Sequence, residues 1–344
     1  MAWVDHGGLN MNLKITSLAW LMCVVPFIQT GVFADTRGLD WKGPKKTIET
    51  PFISGDYHAL IIGNAKYRDK KKVWKSLTTS KNDANALAKL LQTEYGFKNV
   101  SVMIDAGRSE ILHALDELSD TVEPNDNVLI YYAGHGHLED DKNRGYWIPT
   151  DAKGGDHSTY LRNSTIRDEI NILAERTKHT LVISDSCFSG ALMRSGSRGN
   201  GEEDTTKKGY YQKVAKKKSV QVLAAGGKEF VDDSYRSSGH SPFTYFLINE
   251  LKTNTKALLS LTELATNVSI AVANNVDQTP ESGVLLGAGD ELGQFIFARV
   301  TVKEGDIKEV TIGAGAVPPE VLEAQKEKAP PPKLEDFTVP SLRL

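Results

Sequence analysis

A mostly parallel α/β sheet covered by helices on both faces is the fold this sequence predicts, and three observations carry the prediction. Short apolar runs recur along the chain, segments with a helical stripe separate them, and two of the runs end in glycine- and serine-containing motifs. The first run, residues 57–63 (YHALIIG), is short, apolar and closed by glycine, as expected of a strand buried on both faces. Residues 80–95 place Ala84, Leu87, Ala88, Leu91 and Tyr95 along one helical face. Residues 99–104 alternate like a strand, and residues 110–119 carry Ile111, Leu112, Leu115 and Leu118 on one side of a second helix. Residues 127–133 (NVLIYYA) and 179–185 (HTLVISD) form a third and a fourth buried strand, with a loop over 139–156 and a helix over 167–176 between them. Residues 220–225 (VQVLAA) are a fifth strand, 242–251 and 261–274 are helices, and 294–298 (QFIFA) are a sixth strand. Six strands alternating with helices give a three-layer sandwich, helices on each side of one sheet. No internal repeat is visible.

The bulk numbers agree with a globular domain of this kind. The 344 residues are 40% hydrophobic and 25% charged, a length that admits one large α/β domain or two smaller ones. A formal net charge of -3 gives no reason to expect nucleic acid or a membrane surface as partner.

The N-terminus is different in character. Residues 13–34 carry one cation, Lys14, then an uncharged stretch closing on Val32-Phe33-Ala34 before Asp35, the shape of a secretory signal peptide cleaved after Ala34. Met11 is the expected start, since residues 1–10 put a polar leader before the charged region. The competing reading is a membrane anchor, weakened by Pro26, Gln29, Thr30 and Gly31 in the far half of the run; Leu21-Met22 before Cys23 lacks the small residue of a lipoprotein signal. The expectation is export, to the periplasm or beyond, with no stable membrane association after cleavage. The expected layout is a signal over 1–34, a Gly- and Pro-punctuated linker over 35–55, one domain over 56–300 with a basic loop at 193–219, and a Pro-containing tail over 301–344.

Of two cysteines, Cys23 would leave with the signal, so the mature chain keeps one thiol, Cys187, and forms no internal disulfide. A lone cysteine in an exported protein points to reactivity; the bland reading is a small buried hydrophobe. Cys187 follows the fourth strand in Ser184-Asp185-Ser186-Cys187-Phe188-Ser189-Gly190, and His135 follows the third in Ala133-Gly134-His135-Gly136. Open sheets bind ligands beyond the carboxyl ends of their strands, so neighbouring third and fourth strands would bring the two residues to one edge. A thiol with an ordinary pKa of roughly 8.5 needs a base to attack at neutral pH, and imidazole titrates nearest that pH. The glycines beside His135 let backbone approach a substrate, and the N–H groups of Gly136 and Cys187 could form an oxyanion hole. Singly, the histidine could hold a phosphate or cap a helix; the pair carries the reading.

The two strand ends resemble the signature segments of the caspase superfamily, metacaspases and bacterial caspase-like peptidases in particular. Cys187 follows His135 by 52 residues, matching a spacing of about 50 already known in caspases. Ala59-Leu60-Ile61-Ile62-Gly63-Asn64 with Asn82-Asp83-Ala84 resembles that family's first strand and helix, His240-Ser241-Pro242-Phe243-Thr244 the start of its small-subunit helix, and Gln278-Thr279-Pro280 a motif near its end. The similarity spans residues 57–299. It implies a caspase-like sandwich with a six-stranded, mostly parallel sheet, protein or peptide substrates, and endopeptidase chemistry by a Cys187–His135 dyad without metal or organic cofactor.

The resemblance also bears on the residue before the cleaved bond (P1). No arginine lies in residues 76–83, where a caspase that selects Asp would supply one. Metacaspases instead place carboxylates in the pocket, at positions that here hold Asp83 and Asp185, so cleavage after Lys or Arg is expected. A capping box, Ser80-x-x-Asp83, is the structural alternative for Asp83, and capping of the next helix the one for Asp185. The loop 193–219 carries Arg194, Arg198 and six lysines, and self-cleavage there is expected beside the alternative of a solvated basic loop. Asp151 and Asp168 match part of a metacaspase calcium cluster, but Arg167 and Arg194 stand where acids are needed, so no strong calcium dependence is expected. The alternatives of another class are a caspase-fold binding or assembly protein, which need not keep the Cys–His pair and both acids, and another cysteine hydrolase or acyltransferase, which need not keep the basic-side-chain pocket.

Overall fold

The computed structural model describes residues 53–187, 192–193, 208–226, 233–285, 287, 289–300 and 311–312. The signal sequence, most of the linker, Arg194 with the centre of the basic loop, and all of the tail except two residues lie outside the described residues.

β1 (Tyr57–Gly63) is buried along its whole length and pairs in parallel with β2 (Asn99–Ile104) on one side and β3 (Asn127–Ala133) on the other. β7 (His179–Asp185) continues in parallel from β3, and β8 (Ser219–Ala224) from β7. Alternation sorts the side chains of these strands. Ala59, Ile61, Leu129 and Tyr131 enter one core with α1 (Ser80–Tyr95), α5 (Pro242–Thr253) and α6 (Leu261–Ala273). Leu60, Ile62, Val128, Ile130 and Tyr132 enter a second core with α2 (Arg108–Thr121) and α3 (Asn163–Arg176). Continuous apolar runs are what a sheet covered on both faces requires.

The sheet is mostly parallel, as expected, with six strands in the order β10 (Glu281–Val284)-β8-β7-β3-β1-β2 and a two-residue seventh at its edge, but residues 294–298 are not among them. β10 takes the place expected for those residues, antiparallel to β8. Its four residues are polar or small and exposed to half-buried, the composition of an edge strand, so no apolar run announces it. β11 (Ile296–Ala298) pairs with β9 (Leu258–Ser260) in a separate two-stranded sheet, where Phe295 and Phe297 enter the first core and Ile296 packs against Tyr211 and Val214. At the other edge, two residues of the expected tail, β12 (Thr311–Ile312), pair with β2.

Two expected loops contain regular structure. β4 (Gly136–Glu139) and β5 (Arg144–Trp147) form a hairpin, joined by β6 (Leu161–Arg162) in a small antiparallel sheet. α4 (Lys208–Lys216) lies inside the basic stretch, with Tyr211, Val214 and Ala215 buried.

Candidate active site

The register of the central sheet brings the two signature segments together. β3 and β7 pair so that Ala133 lies opposite Asp185. His135 and Cys187 each follow that pair by two residues, and both line one cleft of about 290 Å³ at the carboxyl ends of the strands. Cys187 is half-buried and not part of a disulfide.

His135 is held from several sides. Its Nε2 lies 2.7 Å from the Lys75 carbonyl. A carbonyl only accepts, so Nε2 carries the proton and Nδ1 is the basic nitrogen. Its ring packs against Tyr67 (4.8 Å between centroids) and Trp74 (5.5 Å). Burial lowers the His135 pKa, against opposing contributions from the Lys75 carbonyl and the charge of Asp233. The imidazole is therefore largely neutral at neutral pH, the state a base needs.

Gly136 opens β4 opposite Trp147. Ile148 N–H donates to the His135 carbonyl at 3.0 Å, which makes Gly136–Trp147 the non-hydrogen-bonded pair of the ladder. The Gly136 N–H thus faces away from β5. A side chain cannot be added here, because a Cβ on Gly136 would lie 2.0 Å from the Cys187 carbonyl oxygen. Gly136→Ala should force the two backbones apart and abolish turnover while the fold persists, read by peptide hydrolysis beside thermal melting.

The two acids expected in the pocket line the same cleft and are nearly sealed from solvent, Asp83 at 1% and Asp185 at 5% exposure. Asp83 does not complete the capping box suggested for it. Thr79 holds the N-cap place of α1, while Asp83 bonds His240 Nδ1 at 2.6 Å and accepts from Ser241 N–H at 3.4 Å. Asp185 Oδ2 accepts from the hydroxyls of Ser241 (2.5 Å) and Thr244 (2.7 Å), at the N-terminus of α5, while residues 188–191, where the suggested helix would begin, lie outside the described residues. Asp185 Oδ1 is buried with no hydrogen-bond partner among the described residues. Burial, then repulsion from Asp83, raises the Asp185 pKa from 3.8 to about 7. Burial also pushes Asp83 up, opposed by its bond to His240.

A third carboxylate, Asp233, lines the cleft and was not singled out in the sequence. It accepts from the Thr78 N–H and hydroxyl, each at 2.7 Å. It lies 155 residues from that partner in a polar segment without periodicity, so no local signal marks it. Of the two acids matching a calcium cluster, Asp151 accepts from Arg108 N–H at 2.9 Å and Asp168 lies in α3. Among the described residues no group of three or more His, Cys, Asp or Glu side chains is arranged to hold a metal ion.

A parallel sheet whose third and fourth strand ends carry histidine and cysteine into one cleft defines a caspase-type α/β domain. The family model for the caspase domain matches residues 56–285, two-thirds of the sequence, and the chain belongs to that family. Metacaspase-7 and metacaspase-4 of Arabidopsis thaliana are each 28% identical, over 151 and 144 residues, covering 39% and 37% of this chain. The matched parts are 36% and 32% of those proteins, so the chain spans about a third of the metacaspases it matches. Human mucosa-associated lymphoid tissue lymphoma translocation protein 1 is 32% identical over 108 residues, 31% of this chain and 12% of that protein. Among solved structures, caspase-1 from Spodoptera frugiperda is 18% identical with a TM-score of 0.46, covering 70% of this chain and 92% of its own.

Proposed function

We propose that this chain is a cysteine endopeptidase that cleaves after Lys or Arg, with Cys187 as nucleophile and His135 as base. The observation that carries the reading is a cleft lined by Cys187 and His135 together with two buried carboxylates, one oxygen of which has no donor among the described residues. A guanidinium or ammonium group would supply a donor to that oxygen and a positive charge beside both carboxylates.

In the reaction, Nδ1 of His135 takes the Cys187 proton as sulfur attacks the scissile carbonyl. The N–H groups of Gly136 and Cys187 take the developing oxyanion. His135 then returns the proton to the leaving amine, and water, deprotonated by His135, releases the acyl group and restores the thiol. Fluorogenic peptides ending in Arg, Lys or Asp, offered to wild type and Cys187→Ala, test this. Arg and Lys turnover lost in the variant supports it. Asp turnover would remove the basic-residue specificity, and silence towards all three would favour a binding or assembly role.

The raised pKa of Asp185 has a measurable consequence. In the empty pocket Asp185 is largely protonated below about 7, and a bound cation favours the carboxylate. Benzamidine should therefore bind Cys187→Ala protein more tightly as pH rises through about 7, with proton release below that pH. Calorimetry in buffers of different ionisation enthalpy reads both.

The remaining expectations belong to the same proposal. Residues 13–34 support export, residues 56–300 form the peptidase domain between a linker and a tail, and the Lys- and Arg-rich stretch 193–219 offers sites for self-cleavage. Arg167 and Arg194 in place of acids support activity that persists after chelation of calcium.

A further inference from the structure

His135 sits between two glycines, the arrangement with the fewest constraints on the backbone that carries a base. Catalysis needs that base in one orientation, because a displacement near 1 Å can cost on the order of a hundredfold in rate. The constraint comes from outside the motif. The His135 N–H donates to the Tyr67 hydroxyl at 2.8 Å. On the other side of the same residue, the Tyr132 hydroxyl lies 3.0 Å from both the His135 and the Ile148 carbonyls, and the Ile148 N–H is shared between it (3.2 Å) and the His135 carbonyl (3.0 Å). The backbone N–H and carbonyl of His135 are thus each in contact with a tyrosine hydroxyl, Tyr67 on one side and Tyr132 on the other.

Gly134 fits the same arrangement. A Cβ there would lie 2.7 Å from the Tyr132 hydroxyl and 2.9 Å from that of Tyr67. The glycine is needed because the two phenol oxygens occupy the space a side chain would take. Tyr67 adds a second contact through its ring, 4.8 Å from the imidazole between centroids, beside the bond from Nε2 to the Lys75 carbonyl. Burial holds its phenol well above the ordinary value, so the hydroxyl is uncharged at any working pH.

We infer that Tyr67 is a positioning residue for His135, fixing its backbone through the hydroxyl and its imidazole through the ring, so that Nδ1 is presented to the Cys187 thiol. This rests on the proposed Cys187–His135 chemistry. Tyr67 is not among the residues that line the cleft, and its hydroxyl and ring contact His135 rather than Asp83 or Asp185. Its removal should therefore act on turnover and on the thiol, not on the binding of a basic side chain.

The test is Tyr67→Phe, which keeps the ring and deletes the acceptor. Two readouts are compared with wild type and His135→Ala: kcat and KM on an Arg peptide per titrated active site, and the pH dependence of Cys187 alkylation by iodoacetamide. The expected result is a kcat lower by on the order of tenfold with KM unchanged, and an alkylation profile moved towards that of His135→Ala. Tyr67→Ala should lose more than Tyr67→Phe. Gly134→Ala, whose Cβ would press on the same two hydroxyls, should show the same fall in kcat and the same alkylation profile if Tyr67 variants are obtained in poor yield. Wild-type kcat and alkylation in Tyr67→Phe would overturn the inference. If wild type and His135→Ala alkylate alike, the dyad itself is wrong and the inference falls with it. If they differ and Tyr67→Phe follows wild type, the dyad stands and only the role of Tyr67 is refuted.

Discussion

Replacing Cys187 with alanine is expected to lower hydrolysis of Lys and Arg peptides by a factor on the order of 10⁴ or more, with substrate still bound. Residues of a nucleophile–base unit act together, so removing either costs about as much as removing both. His135→Ala should be nearly as inactive, and the double variant little worse than either. What survives would come from binding and from the N–H groups of Gly136 and Cys187, which the substitution leaves in place. Turnover by Cys187→Ala at an appreciable fraction of the wild-type rate would remove the nucleophile from the proposal, whatever the specificity proves to be. The measurement is steady-state cleavage of a fluorogenic Arg peptide, with benzamidine affinity as the control for an intact pocket.

Asp185→Asn is the second change of large expected effect, and it should act in opposite directions on catalysis and on stability. For catalysis, an unpaired buried charge is worth about 3–5 kcal/mol. A P1 cation without its carboxylate should thus lose on the order of 10²- to 10³-fold in kcat/KM, while alkylation of Cys187 proceeds as in wild type. For stability the sign reverses. The folded pKa of Asp185, about 7, lies above its ordinary value of 3.8. Between these values the native state binds more protons than the unfolded one, so the stability contributed by this group falls as pH rises to about 7 and stays low above it. Asparagine carries no charge to bury. The variant should therefore melt above wild type at pH 8, and the gap should narrow as pH falls towards 4. A variant that melts lower than wild type at pH 8 would mean that the carboxylate is stabilised in the empty pocket after all. Conserved cleavage after Arg would take Asp185 out of specificity.

These effects were legible in the sequence to unequal degrees. The strands that form the centre of the sheet were plain, because β1, β3 and β7 are buried on both faces and read as unbroken apolar runs. β10 was not, since an edge strand of Glu281, Ser282, Gly283 and Val284 has one weakly covered face and no pattern to show. The run 294–298 was rightly a strand and wrongly joined, because burial alone does not say which sheet receives a strand. At the site, Cys187, His135, Gly136, Asp83 and Asp185 were all named from local segments. Their pairings were not: His240, Ser241 and Thr244 were read only as the start of a helix and Asp233 not at all, since they reach the pocket acids or the start of α1 from more than fifty residues away. Tyr67 is similar: a tyrosine in a lysine-rich loop shows nothing of its bond to His135 until the loop is folded over the strand ends.

The pocket is built from both sides of residues 194–207. Asp83 and Asp185 precede that stretch; His240, Ser241 and Thr244 follow it, and β7 pairs with β8 across it. A chain severed there would become two polypeptides that share one sheet and one specificity pocket. Such a product would run as two fragments in denaturant and as a single particle of unchanged mass without it. Its affinity for a basic side chain would then report the integrity of the pair, since neither fragment carries a complete pocket.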